Sequence, residues 1–465
     1  MNKLLIFLLT LSSLIFSGCF SKTYLSEINT FDKQINSNTC DYSLIEKKLK
    51  GGDDIILWGI QGGLLARNCG DYQKSILWFD IAEQSYKEDV DLQNPVLTAS
   101  YKTRSLIINN SANPYEGNIY EKIMVNVYKG LDFMAINDFA NARVEFNRAL
   151  ERQIIAKEYF AKEIDSIDKK NSNNLYALQD EQARYNRASQ ASQLNFNNNL
   201  LTSLESKYTQ NSKSLAYPEF VNPFATYMSA LFFLLDGSYA KSVDLFKENL
   251  QMQPSNTQIQ KDFTLADNLA SYPGRNYKKY VWLIYENGQG AIKDEVRLDV
   301  PIFVVTNSFY YTGIALPKLV FRAPSYQLLN IKNNSGNVAS TQVIADMDSI
   351  ISAEFNERYT SIAIEAITSV ALKTIIQKQL NDNSHAAGAI MAFFQALTTS
   401  ADIRSWYGLP KYFEAASIPI EDGNITIYDE NGMILFTETL QNNKNVIIYV
   451  KSSHKGQIIA HKIYF

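Results

Sequence analysis

Histidine is nearly absent from this chain: there are three in 465 residues, and no two lie four places apart or beside a cysteine or carboxylate at ligand spacing. That pattern supports neither a structural nor a catalytic zinc site. His385 reads as a loop residue near a helix start, His454 as part of a turn, and His461 as a satisfied residue at a core edge. Also missing are a Gly-x-Ser-x-Gly elbow, a glycine-rich phosphate loop before a helix, and a Ser-x-x-Lys nucleophile in a recognisable context. Gly288-Gln289-Gly290 is too short for a nucleotide motif and reads as a hairpin. No cofactor, metal or catalytic residue is therefore expected. Charge of one sign is lacking too: 44 basic and 48 acidic residues leave a net charge of -4, with no basic block, so nucleic acid is not an expected partner.

Long apolar runs are confined to the start. Lys3 precedes the run Leu4 to Phe16, which at roughly 1.5 Å per residue is too short to span a bilayer of about 30 Å. It ends Phe16-Ser17-Gly18-Cys19, the pattern of a bacterial lipoprotein signal peptide over residues 1–18, with Phe16 where Leu is usual. Cys19 is then the acylated N-terminus. Phe20 is not the Asp that favours inner-membrane retention, which places the protein on the outer membrane, lipid-anchored and facing the periplasm. A plain secretory signal is the alternative. Beyond Cys19 the nearest thing to a membrane span is Ser361 to Ile376, which carries Glu365 and Lys373. Residues 19–39 read as a tether. Cys40 and Cys69 remain, and in an oxidising compartment they can form one disulfide; two free buried thiols are the alternative.

With 46% apolar residues the chain is folded, and its length suggests several domains. Residues 40–272 carry a threefold pattern: Gly63, Tyr72, Ser75, Phe79; then Gly130, Phe139, Ala142, Phe146; then Ala230, Tyr239, Ser242, Phe246. Small residues let antiparallel helices approach closely, and turns at Gly70, Asn137 and Gly237 join them. This resembles the tetratricopeptide repeat, whose period is about 34 residues. Ser75 and Ser242 stand where Ala is usual, Asn249 replaces a small residue, and only Pro254 supplies the closing proline, so an irregular array is expected. Partner contacts are expected from exposed residues on its inner helices. The polar stretch 156–213 reads as a protruding helical hairpin, or as a disordered insertion.

From about residue 275 to 465 the period changes. Strands are expected at Tyr280–Tyr285, Val296–Val300, Ile314–Arg322, Tyr326–Ile331 and Thr341–Ala345, with Pro301 marking an edge. The last 45 residues read as two hairpins, turning at Asn431-Gly432 and at Ser453 to Gly456. Helices near 348–380 and 386–400 interrupt the strands, with Ile351, Phe355 and Tyr359 at helical spacing on the first. The fold class is α+β and multidomain: a tetratricopeptide-like helical array, then an antiparallel β-rich domain with two inserted helices.

One segment looks specific. In Ala401 to Pro410, Asp402, Arg404 and Trp406 alternate; Arg404 can grip an anion and Trp406 can stack on a sugar or a partner side chain. The plainer alternative is an Asp402–Arg404 pair with Trp406 anchoring a crossing between helix and sheet. Together, Gly70-Asp71-Tyr72 with its helix, Tyr128 through Leu150, Asn222-Pro223-Phe224 through Gly237, and Ala401 to Pro410 resemble a family of proteobacterial envelope lipoproteins with tetratricopeptide-like N-terminal halves. The resemblance covers most of the mature chain. It carries no activity with it, but the family looks like a neighbour of the outer-membrane lipoproteins that activate penicillin-binding proteins. It implies a non-enzymatic adaptor that binds other cell-envelope proteins in cell-wall or outer-membrane assembly. The alternative is a ligand-binding or enzymatic C-terminal domain positioned by the repeats.

Overall fold

The computed structural model describes residues 24–86, 114–158, 221–272, 277–302, 310–359, 362, 400–421, 423–456 and 458–465. The chain enters on a helix, α1, over 24–36, where a tether was expected. Tyr24, Ile28, Phe31 and Ile35 recur at helical spacing and are at most 6% exposed. The apolar stripe buries against the array, and the ring of Phe31 meets Trp58 edge-on at 6.5 Å. The short helix α2, Ser43–Gly51, follows.

Three helical hairpins come next: α3 (Ile55–Asn68) with α4 (Tyr72–Ser85), α5 (Ile119–Ala135) with α6 (139–158), and α7 (Pro223–Leu235) with α8 (Tyr239–Met252). A further helix, α9 (Thr257–Ser271), completes the array. Each hairpin turns by one device. Gly70, Asn137 and Gly237 take left-handed φ angles of 74°, 60° and 80°. The next residue's N–H returns to the carbonyl five places back: Asp71 to Ala66 at 2.9 Å, Asp138 to Phe133 at 2.8 Å, Ser238 to Phe233 at 2.8 Å. Close approach explains the small residues: a Cβ on Gly63 would lie 2.5 Å from the ring of Phe79, and one on Gly130 2.9 Å from Phe146. Two departures from the repeat pattern also acquire a cause, because Ser75 Oγ lies within hydrogen-bonding distance of the Gly63 carbonyl and Ser242 donates to that of Ala230, both at 2.8 Å.

Cys40 and Cys69 are bonded, with Cα atoms 5.9 Å apart and a sequence separation of 29. The bond ties the segment after α1 to the end of α3. Closing such a loop in the unfolded chain is worth about 3.5 kcal/mol in the chain-entropy treatment. Cys40→Ser with Cys69→Ser is expected to lower the unfolding free energy by about 2–4 kcal/mol; unchanged denaturant midpoints with and without reductant would count against it.

The strands are β1 (Tyr280–Asn287), β2 (Ile292–Ile302), β3 (Tyr310–Val320), β4 (Leu329–Asn333), β5 (Val338–Ser340), β6 (Gln342–Asp346), β7 (Tyr412–Pro419), β8 (Asn424–Asp429), β9 (Ile434–Thr439), β10 (Val446–Ser452) and β11 (Ile459–Tyr464). They form a five-stranded sheet ordered β11-β10-β1-β7-β6, a four-stranded sheet ordered β5-β4-β8-β9, and the separate ribbon β2-β3. The helices and these antiparallel-rich sheets make an α+β fold. Three details differ from expectation. β7 has no counterpart in the expected strands, although it lies beside β1 in the sheet. The pair β1·β10 is parallel, with Val281 opposite Val446. Gly288 to Gly290 is a crossing between sheets rather than a hairpin: the Gly288 N–H donates to Ser452 at 2.8 Å and that of Gly290 to Leu409 at 2.9 Å.

The five-stranded sheet is buried on both faces. Val281, Leu283 and Tyr285 of β1 pack with Ile331, Ile425 and Ile427 of the four-stranded sheet, while Trp282 and Ile284 join the core of the helical array. The order of layers is helices, five-stranded sheet, four-stranded sheet. Helix α10, over 347–359, buries Ile351, Phe355 and Tyr359 as the spacing predicts. The rest of the 348–380 helix (residue 362 apart), all of 386–399, His385, and most of 156–213 lie outside the described residues, as do residues 1–23 with Cys19.

Candidate functional site

The inner helices end up inside. Every residue of α3 from Ile56 to Arg67 and of α7 from Pro223 to Leu234 is buried, polar ones included. Outer helices cover one side and the chain's own sheet covers the other. The expected partner contacts on inner helices are therefore not available there: β strands fill the concave face that helical arrays use for ligands.

Where the layers meet, the sequence places charge. Arg67, in the last turn of α3, forms an ion pair with Asp132 of α5. The other carboxylate oxygen of Asp132 accepts from Ser75 Oγ at 2.6 Å. The Arg67 guanidinium lies 4.7 Å from the ring centroid of Tyr449 on β10. The Tyr449 hydroxyl donates to Glu286 Oε1 of β1 at 2.6 Å, and Lys451 Nζ sits 3.0 Å from Glu286 Oε2 while donating to the Gly408 carbonyl at 2.9 Å. Burial pushes the Asp132 carboxyl up even beside Arg67. Burial works against the Arg67 charge, but Asp132 outweighs it and holds the guanidinium protonated. Two cations and two anions thus neutralise each other across the seam. All are at most 6% exposed, so the arrangement fixes how the helices sit on the sheet and presents no reactive group to solvent.

His461 of β11 borders this seam, its ring 5.6 Å from that of Tyr72. Its Nε2 is buried without a hydrogen-bond partner, although the ring also bonds the Asn68 backbone, so it sits at a core edge as expected but is only partly satisfied. Burial, with Arg67 nearby, pushes its pKa down to about 4. The unfolded chain then binds a proton near pH 6.5 that the folded chain refuses, so this contribution is present above about pH 6.5 and is lost as pH falls toward 4. His461→Phe is expected to remove about 2–3 kcal/mol of that acid-side slope, read from urea unfolding at pH 7 and pH 4.5. An unaltered slope would show that His461 titrates normally.

A second buried charge cluster lies within the array. Lys129 of α5, 2% exposed, has Nζ 2.7 Å from Asp80 and from Glu83 of α4 and 3.0 Å from Glu145 of α6. Neither cluster was singled out from sequence. Their members come from elements far apart in the chain, and the only local signal was charge at otherwise apolar positions.

The segment that did look specific is packed. Arg404 is 3% exposed and clamps Asp402 with Nε at 2.9 Å and Nη2 at 2.7 Å, while Nη1 reaches Asp54 at 2.7 Å. Burial opposes both charges, yet Asp402 and Asp54 hold Arg404 protonated, and Arg404 holds the Asp402 carboxyl below the usual range. Trp406 is 1% exposed, its ring edge-on to Phe79 at 5.9 Å and to Tyr128 at 5.7 Å, and its backbone N–H donates to the buried Glu121 at 3.1 Å. The geometry matches the plainer alternative of an internal pair and an anchor.

Among the described residues no group of three or more His, Cys, Asp or Glu could hold a metal ion. No helix there is long and apolar enough to cross a membrane. Comparison with known families, curated proteins and solved structures finds no match for this chain.

Proposed function

We propose that this chain is an acyl-anchored adaptor on the periplasmic face of the outer membrane that binds other cell-envelope proteins, in the setting of cell-wall or outer-membrane assembly. The observation that carries this reading is where apolar surface remains after the sheet has filled the array. Leu77 on α4 is 55% exposed, and Val144, Ile154 and Ile155 on α6 are 43%, 62% and 55% exposed. Outer helices, not inner ones, offer the free faces. Large exposed apolar side chains on the outer helices of a helical array favour a protein partner.

The test is purification of the acylated protein from crosslinked envelopes, beside a Leu77→Asp, Ile154→Asp, Ile155→Asp variant. Enrichment of an envelope assembly protein that the variant loses, with unchanged unfolding, is the expected result; equal recovery by both would remove the outer helices from the reading. Deleting 40–272 is not a usable test, because it would strip the cover from one face of the five-stranded sheet. The reading of a ligand pocket at Asp402, Arg404 and Trp406 is disfavoured by their burial.

A further inference from the structure

We infer that β11 is an acid-released strap: protonation of His461 detaches this edge strand from the helical array while the central strand of its sheet stays paired. β11 is joined to the sheet on one side only, by its antiparallel ladder to β10, and among the described residues no strand lies beyond it. Its other hold is on the array. His461 meets Tyr72 at the start of α4, and Phe465 meets Phe139 at the start of α6 with ring centroids 4.7 Å apart. Ile463, between them, joins the core of the array. Tyr72 and Phe139 hold the same place in successive repeats, each two residues after the left-handed turn residue, Gly70 or Asn137. The strand thus crosses the turns of the first two hairpins.

That hold suits a neutral ring. A charged imidazole donates from both nitrogens and accepts at neither, yet Nε2 is buried with no partner to receive a proton. The charges around it are already matched. Arg67 of α3 pairs with Asp132 of α5, and Lys451 of β10 with Glu286 of β1, while Tyr72 and Tyr449 border the ring from α4 and β10. On β11 itself Lys462 is held by Glu438 of β9 at 2.9 Å. A proton on His461 makes three cations against two anions in the seam, and Arg67 repels it more than Glu286 attracts it. Asp132 titrates in the opposite sense. Burial pushes its carboxyl up to about 6, so it loses an unfavourable charge first as pH falls, which favours the folded seam but leaves Arg67 less neutralised beside His461. A loss of structure in acid is therefore assigned to the imidazole.

Release is local because of where the strand lies. Lifting β11 breaks one ladder and uncovers one row of side chains, whereas β10 remains paired with β1. Edge elements open at lower free energy than central ones. Opening uncovers Tyr72, Phe139 and the outer edge of β10, a strip that stays covered at neutral pH.

A ring whose pKa is 6.5 when released and about 4 when held shifts the release equilibrium about fiftyfold between pH 7 and pH 4.5. The experiment is hydrogen exchange read by mass spectrometry on the full chain with its disulfide intact, at those two pH values, with labelling times scaled to the intrinsic exchange rate at each. Amides of residues 459–465 are expected to exchange about fiftyfold faster at pH 4.5 after that scaling, while those of β1 keep their protection. In His461→Gln and His461→Phe the change is expected to fall below about threefold. Protection of β1 at pH 7 shows which of the two variants is folded, and either one suffices. Protection of 459–465 that does not change with pH, its loss together with that of β1, or the same fiftyfold change in a folded neutral variant overturns the inference.

Discussion

Trp406→Ala and Arg404→Ala are each expected to lower the unfolding free energy by about 3–5 kcal/mol, and the double variant is expected not to fold at 37 °C. The two losses differ in kind. Removing the indole empties a site ringed by Phe79 and Tyr128 at the meeting of array and sheet, where nothing small can collapse inward. Removing the guanidinium leaves the carboxylates of Asp402 and Asp54 without the cation that pairs them. Adding Asp402→Asn and Asp54→Asn to Arg404→Ala should therefore recover part of the loss, while no such partner exchange should rescue Trp406→Ala. Urea unfolding of the single, triple and parent chains measures this. A change under about 1 kcal/mol for Arg404→Ala would mean that the pair is solvated, as surface ion pairs are.

Arg67→Met is expected to cost about 3–5 kcal/mol, because Asp132 would keep only the Ser75 hydroxyl as a partner in a fully buried site. Replacing both partners, Arg67→Met with Asp132→Leu, should recover much of that loss, since a buried pair exchanged for apolar residues of similar size is often neutral. The pH dependence supplies the check. A carboxyl raised in the folded state binds more protons there than in the unfolded chain, so its unfavourable contribution grows as pH rises through the normal carboxylate range to the folded value. Arg67→Met should widen that gap and be destabilised more at pH 8 than at pH 5. Equal losses at the two values would place the cost in packing rather than in the charge.

How much was legible depends on whether a signal was local. The three hairpins were readable because Gly63 with Phe79 and Gly130 with Phe146 are contacts between adjacent helices of one sequence repeat, and their turns need a left-handed residue at a fixed place. The hairpins β8-β9 and β10-β11 were readable from alternation and turn residues. β7 was not, because Ala415, Ala416 and Ser417 blur its strand signal and burial on both faces removes the alternation. α1 reads as a tether in sequence although Tyr24, Ile28, Phe31 and Ile35 fall on one stripe, since what that stripe packs against lies elsewhere in the chain.

Composition and local pattern by themselves determined that this chain is folded, α+β, repeat-bearing and free of recognisable catalytic motifs. Only the tertiary structure decided what the array is for within the molecule. The inner-helix face packs on Trp282, Ile284 and Tyr449 of a sheet that begins more than two hundred residues beyond α3, so the surface expected for partners became core. Arg404 and Arg67 turned from candidate contacts and unremarked charges into internal pairs for the same reason. Burial is set by which distant elements stack together, and no window of sequence contains both sides of that contact.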